Sequence, residues 1–153
     1  MTQRLDQFAV APDLFQPMMA QEKLFEESGL EHNLVELVKL RTSQINHCAY
    51  CLHMHSQDLR AHGESEARML LLNAWRESAL YSPRERAALA WTETLTEVAT
   101  KGAGDADYAA LAEHFNDREQ VALTLLIGAI NTWNRIAIGF RASHPVEQEA
   151  HAA

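Results

Sequence analysis

The sequence predicts an all-α fold, and three observations carry that prediction. Glycine and proline are sparse, six and four among 153 residues. Apolar residues recur at spacings of three and four along almost the whole chain. The strict alternation that marks a half-buried strand is hard to find. A chain of this length supports one hydrophobic core rather than two, so residues 1–153 are expected to form a single helical domain with its core at about 31–141.

Seven helices are predicted, at 14–28, 31–45, 47–62, 65–77, 83–100, 106–114 and 118–141. Gly29 and Gly63 stop the first and third, because glycine accepts the left-handed backbone that ends a helix. The fifth opens on Ser82-Pro83-Arg84-Glu85. Ser82 is an N-cap, Pro83 fits the first helical position, and Glu85 closes a capping box. Gly102 and Gly104 end that helix, Asp105 is placed to cap the next, and Asp117 with Gln120 to start the last. Trp75, Trp91 and the Leu70-Leu71-Leu72 run match helical core packing.

The last helix, V-A-L-T-L-L-I-G-A-I-N-T-W-N-R-I-A-I-G-F, is apolar nearly all round and is expected to be covered on most sides. It has the length of a membrane span, but Asn131, Thr132, Asn134 and Arg135 sit midway. A charge there costs about 2.5–3.5 kcal/mol in hydrocarbon. A core helix or a subunit interface is expected instead, with no membrane as partner. Trp133, Asn134 and Arg135 read as a buried polar patch on such a helix rather than as pocket lining. The tail from His144 onward, with Pro145, has little to bury.

Charge and cysteine usage narrow the function. A net charge of −8, with no Lys/Arg cluster to neutralise phosphates, excludes a nucleic-acid footprint. Residues 1–12 carry Arg4 and Asp6 but no apolar core of a secretory leader, so a cytoplasmic location is expected. The two cysteines stand three apart, which is no disulfide framework; in a reducing compartment such a pair means redox chemistry or metal binding.

In C-A-Y-C-L-H-M-H, Cys48, Cys51 and His55 stand at i, i+3 and i+7. On a helix they fall within roughly 60° of one another, and His53 points to the other side. With Asn46 as the cap, both thiols lie near the positive helix end. A free thiol of pKa about 8.5 is only a few per cent thiolate near neutrality. Lowering it by two units takes about 2.7 kcal/mol, more than the roughly 0.3–1 kcal/mol a helix terminus typically gives. His55, four residues beyond Cys51, can close the gap as general base or imidazolium. That makes Cys51 the nucleophile and Cys48 the thiol that condenses with it, whereas nearness to the helix terminus favours the reverse. Two other readings stay open. The cysteines could be inert core residues, or Cys48, Cys51 and His55 could bind zinc with Glu36, His53 or His62 as the fourth ligand. A c-type haem attachment is excluded, because Leu52 follows Cys51 where histidine is required.

Glu36, in L-V-E-L-V-K-L, is surrounded on its helix by Leu34, Val35, Leu37, Val38 and Leu40. A buried carboxylate must pair or take up a proton, so Glu36 is a candidate proton carrier for the thiols; the other reading is an exposed Glu36 paired with Lys39. His32, His47, His62 and His114 have no partner evident from spacing and read as surface or satisfied histidines.

The stretch E-L-V-K-L-R-T-S-Q-I-N-H-C-A-Y-C-L-H-M-H-S-Q-D-L-R-A-H-G-E resembles the core of the AhpD-like alkylhydroperoxidases, within the carboxymuconolactone decarboxylase superfamily. A-W-R-E-S, S-P-R-E-R-A-A-L-A-W and I-N-T-W-N-R further along are also similar. Tyr50 stands where the founding alkylhydroperoxidases carry a histidine. The resemblance implies a multi-helix bundle that assembles as a homo-oligomer, trimer or hexamer, and reduces hydroperoxides without a cofactor. It implies Cys51 as the peroxidatic thiol, Cys48 as the resolving thiol, and Glu36 and His55 in a proton relay. It also implies a lipoyl-bearing protein or another thiol system as reductant. Decarboxylases of the superfamily lack the cysteine pair, which makes that activity the weaker expectation; a thiol redox sensor is the non-enzymatic one.

Overall fold

The computed structural model describes residues 2–145, and no strand occurs among the described residues. The chain runs through α1 (Gln7–Val10), α2 (Pro12–Glu26), α3 (His32–Ile45) and α4 (Ala49–Ala61). Then come α5 (Glu66–Leu71), continued by a 3-10 segment at Leu72–Glu77, α6 (Pro83–Thr96), α7 (Val98–Lys101), α8 (Asp105–Ala112) and α9 (Asp117–Phe140). The expected unburied tail, beyond Pro145, lies outside the described residues.

Most departures from the expected boundaries have local causes. α1 is four residues long, too short to show a period; the Asp6 carboxylate makes it by accepting the N–H groups of Phe8 and Ala9, both at 3.1 Å. The helix expected over 65–77 changes at Leu72, and Ala74 leaves the helical backbone with φ −117°. The one expected over 83–100 breaks at Glu97, and α7 follows before Gly102 turns left-handed at φ +69°. Gly104, not Asp105, caps α8. The box that opens α9 is Asn116 with Glu119, one position before the expected Asp117 and Gln120. Local chemistry at Ser82–Glu85, Gly29 and Gly63 is as expected: the capping box forms, and both glycines take positive φ.

α3 is the central helix. Its Leu34, Val35 and Val38 join Phe25, Trp91, Leu123 and Ile127 on one flank. Leu37 and Leu40 join Leu59, Leu72, Trp75 and Leu89 on the other. A polar tie reinforces this arrangement: the Glu93 carboxylate of α6 accepts from Arg41 Nη2 of α3 at 2.7 Å, Trp75 Nε1 at 2.8 Å and Arg76 Nη2 at 2.7 Å. Of the leucine run, Leu72 is buried while Leu70 and Leu71 are exposed, because three successive residues sweep about 200° of a helix and cannot share one face.

α9 is covered on one face only. Leu123, Leu126, Ile127, Ile130 and Asn134 are buried, but Val121 is 60% and Leu125 50% exposed, so the cover expected on most sides is not supplied by this chain. Among the described residues α9 is the one helix long and apolar enough to cross a membrane, and it packs here against α3 and α6.

Candidate active site

The site is built around the turn between α3 and α4. α3 ends at Ile45, His47 takes a left-handed φ of +57°, and the Cys48 N–H closes the turn on the Ser43 carbonyl at 3.1 Å. Asn46 does not cap α4, contrary to expectation, because this turn separates it from the helix start. Its Nδ2 instead donates to Asn131 Oδ1 and Asn134 Oδ1 of α9, both at 2.9 Å. Asn134 is fully buried and passes the bond on, donating to Ser43 Oγ at 3.1 Å. The cap is Cys48 itself, whose Sγ accepts the Cys51 N–H at 3.4 Å.

Cys48 and Cys51 are joined as a disulfide, with Cα atoms 5.4 Å apart. Both are buried, packed against Ala137 of α9. One turn on, His55 is 3% exposed. Its Nδ1 lies 2.8 Å from Glu36 Oε2. A carboxylate can only accept, so Nδ1 carries a proton towards Glu36; Nε2 holds a lone pair in the neutral ring and a second proton in the imidazolium. That Nε2 is buried and has no hydrogen-bond partner among the described residues.

Behind His55 runs a chain of alternating charge. Glu36 Oε1 accepts from Lys39 Nζ at 3.1 Å, Lys39 pairs with Glu22 Oε2 at 3.0 Å, and Glu22 Oε1 accepts from Trp133 Nε1 at 2.8 Å. Side-chain exposure falls from 23% at Glu22 through 14% at Lys39 to 6% at Glu36. Burial pushes the Glu36 carboxyl up, but the hydrogen bond and charge of His55, followed by Lys39, outweigh it and hold the group at about 2. Burial likewise pulls Lys39 down, and the charges of Glu36 and Glu22 more than reverse this. Glu36 is therefore buried, as the proton-carrier reading expects; the exposed Glu36 of the other reading is not found, although its pairing with Lys39 is.

A cavity of about 580 Å³ opens on this site. Cys51 and His55 line it, and Cys48 is not among its lining residues. Phe8, Met19, Met54 and Trp133 supply apolar wall, and Gln7 and Glu22 polar groups. Trp133, expected to be structural only, thus lines the pocket, while Asn134 is structural as expected and Arg135 donates to the Asn131 carbonyl at 2.7 Å. Sequence reasoning missed Gln7 and Glu22, single polar residues whose spacing to the cysteines carries no signal.

Of the residues weighed as a fourth zinc ligand, Glu36 stays beside His55 while the two histidines turn to other partners. His53 faces His144, ring centroids 5.3 Å apart, and His62 lies against His32 at 3.8 Å, so these histidines find partners that spacing had not revealed. With the sulfurs bonded to each other neither is a thiolate ligand in this state. Among the described residues, the group whose donor atoms lie within 4.8 Å of one another is Glu36, His55 and Asp58.

An all-helical bundle with a C-x-x-C disulfide at the start of one helix, a histidine one turn further along that helix and a glutamate from the preceding helix paired with it, defines the AhpD-like class of the carboxymuconolactone decarboxylase superfamily. Residues 12–94 match the carboxymuconolactone decarboxylase family, and the chain belongs to it. It is 41% identical over 138 residues to the uncharacterized protein YdfG of Bacillus subtilis, covering 90% of this chain and 94% of that one. Among solved structures it is similar to a protein of unknown function from Agrobacterium tumefaciens, for which an AhpD role in antioxidant defence has been suggested. That match has a TM-score of 0.92 and 46% identity, over 95% of this chain and all of that one. An uncharacterized peroxidase-related protein from Silicibacter sp. TM1040 matches with a TM-score of 0.76 and 26% identity, over 86% and 70% of the two chains.

Proposed function

We propose that this protein is a thiol-dependent hydroperoxide reductase in which Cys51 is the attacking thiol. The observation that carries the reading is that Cys51 and His55 share the cavity wall while the other face of His55 is held by Glu36. In the reduced protein His55 Nε2 takes the Cys51 proton, and Glu36 stabilises the imidazolium that results. The thiolate attacks the terminal oxygen of ROOH, the O–O bond breaks, and His55 returns the proton to the departing RO⁻ as ROH. Cys51 is left as a sulfenic acid; Cys48 displaces its hydroxyl as water and forms the disulfide. An external dithiol, of lipoyl or other type, then restores both thiols by exchange. A homo-oligomer belongs to the same reading, supported by the exposed apolar residues Val121, Leu125 and Ile138 on α9.

The test is peroxide turnover with dithiol reductants. Cys51→Ser abolishes turnover, Cys48→Ser allows one turnover per chain without regeneration as a disulfide, and His55→Ala slows the chemical step by about 10²–10⁴-fold. Equal activity in the parent and all three variants sinks the mechanism. A disulfide that forms with peroxide but never turns over identifies a redox sensor instead.

A further inference from the structure

Glu22, Lys39, Glu36 and His55 form one connected array, drawn from α2, α3 and α4 and joined by contacts of 3.0, 3.1 and 2.8 Å. No side chain in it is more than 23% exposed, and His55 is 4% exposed. Charges withdrawn from water are tolerated where they are paired and balanced. With a singly protonated His55 ring, the array sets two carboxylates against one ammonium and carries one net negative charge. With the imidazolium it is neutral. The array is one positive charge short, and a second proton on His55 fills the gap.

Glu22 makes that count odd. Lys39 and Glu36 by themselves cancel, and an imidazolium beside them adds an unmatched positive charge. Glu22 reaches the ring through Lys39 and Glu36, and its own carboxylate is fixed from α9: Trp133 Nε1 donates to Oε1 at 2.8 Å, leaving Oε2 for Lys39. The other titratable groups around the array are Asp6, Tyr50 and Asp58 on the cavity wall and Glu26 and His32 in a smaller hollow against α2 and α3. All five are exposed, so water screens them more than it does the array.

We infer that Glu22 and Lys39 are positioning residues of opposite sign for the proton carrier: Glu22 favours the second proton on His55 and Lys39 opposes it, each through Glu36. That this proton comes from Cys51 during turnover rests on the proposed peroxidase activity. The charge balance itself does not, because it belongs to the disulfide form as well.

The disulfide form therefore serves for the test, free of thiol ionisation. Nitrogen chemical shifts of the His55 ring read how much of it holds a second proton at a given pH. Relative to the parent at the same pH, Glu22→Gln, which keeps an acceptor for Trp133, is expected to lower the ratio of doubly to singly protonated ring about tenfold, and Lys39→Met to raise it by a similar factor, the size of one charge removed at short range. The double variant Glu22→Gln/Lys39→Met loses one charge of each sign and is expected to return close to the parent. A purely structural role predicts otherwise. Both single variants break the same 3.0 Å pair, so the ratio then moves in one direction in both and does not recover in the double variant. That result overturns the inference, as does an unchanged ratio in Glu22→Gln. If Lys39→Met does not fold, Glu22→Gln against the charge-balanced double variant decides: a loss that the double variant reverses supports the inference, and a loss that persists overturns it. Opposite shifts in a protein that never turns over peroxide support the array and remove the peroxidase reading, so the two fail separately.

Discussion

Glu36 owes its charge to its neighbours. With the folded-state carboxyl at about 2 and its ordinary value at 4.5, the group binds fewer protons folded than unfolded through that window. Its contribution to stability is therefore present above about pH 4.5 and is lost as pH falls towards 2. The size is on the order of 3 kcal/mol at most. Urea melts at pH 7, 4 and 2.5 are expected to show a steeper acid loss in the parent than in Glu36→Gln, which has no carboxyl to protonate there. Parallel loss in the two proteins contradicts the assignment. Sequence reasoning reached Glu36 through its apolar neighbours and His55 through its spacing to Cys51, because both signals are carried within one helix. Lys39 entered only as an alternative partner, and Glu22 not at all, since nothing in α2 foretells that it folds back on α3.

The start of α4 shows how far local chemistry carries. Ser82 and Glu85 bond to each other across three residues, and their capping box was legible. Asn46 has the right chemistry for a cap as well, but its acceptors are Asn131 and Asn134, 85 and 88 residues away, and only the packed α9 brings them within reach. The same distance hid the role of Trp133. Asn46→Ala leaves the fully buried Asn134 oxygen without its donor, and a loss of about 1–3 kcal/mol is expected. Hydrogen exchange at the Cys51 amide should quicken in this variant, since the turn that presents Cys48 as the cap is no longer tied to α9; unchanged exchange would show that the turn holds itself.

α3 joins both large core clusters, so the two sides of the molecule are stabilised through one helix. Leu37 is fully buried, and Leu37→Ala is expected to cost about 2–5 kcal/mol in a denaturant melt. Leu125→Ala, on the exposed face of α9, changes the stability of a single chain by less than about 0.5 kcal/mol. A larger loss that depends on protein concentration would report assembly through that face. Apolar periodicity put both leucines on helices expected to be covered, because it records which side chains avoid water without saying whether the cover comes from the same chain.

Segments from near the start of the described chain and from the end of α9 meet beside the cavity. Arg4 donates through its backbone N–H to the Phe140 carbonyl and through Nη1 to that of Gly139, both at 2.9 Å, beside a wall that includes Gln7, Phe8 and Trp133. Glu36, Cys48, Cys51 and His55 all lie within the family segment at 12–94, whereas Gln7, Phe8 and Trp133 lie outside it. The reacting groups are thus confined to the family segment, whereas the cavity wall draws both on that segment, through Met19 and Met54, and on stretches outside it. A lineage can vary those outer stretches, and with them part of the wall, while the thiols and their Glu–His pair stay untouched.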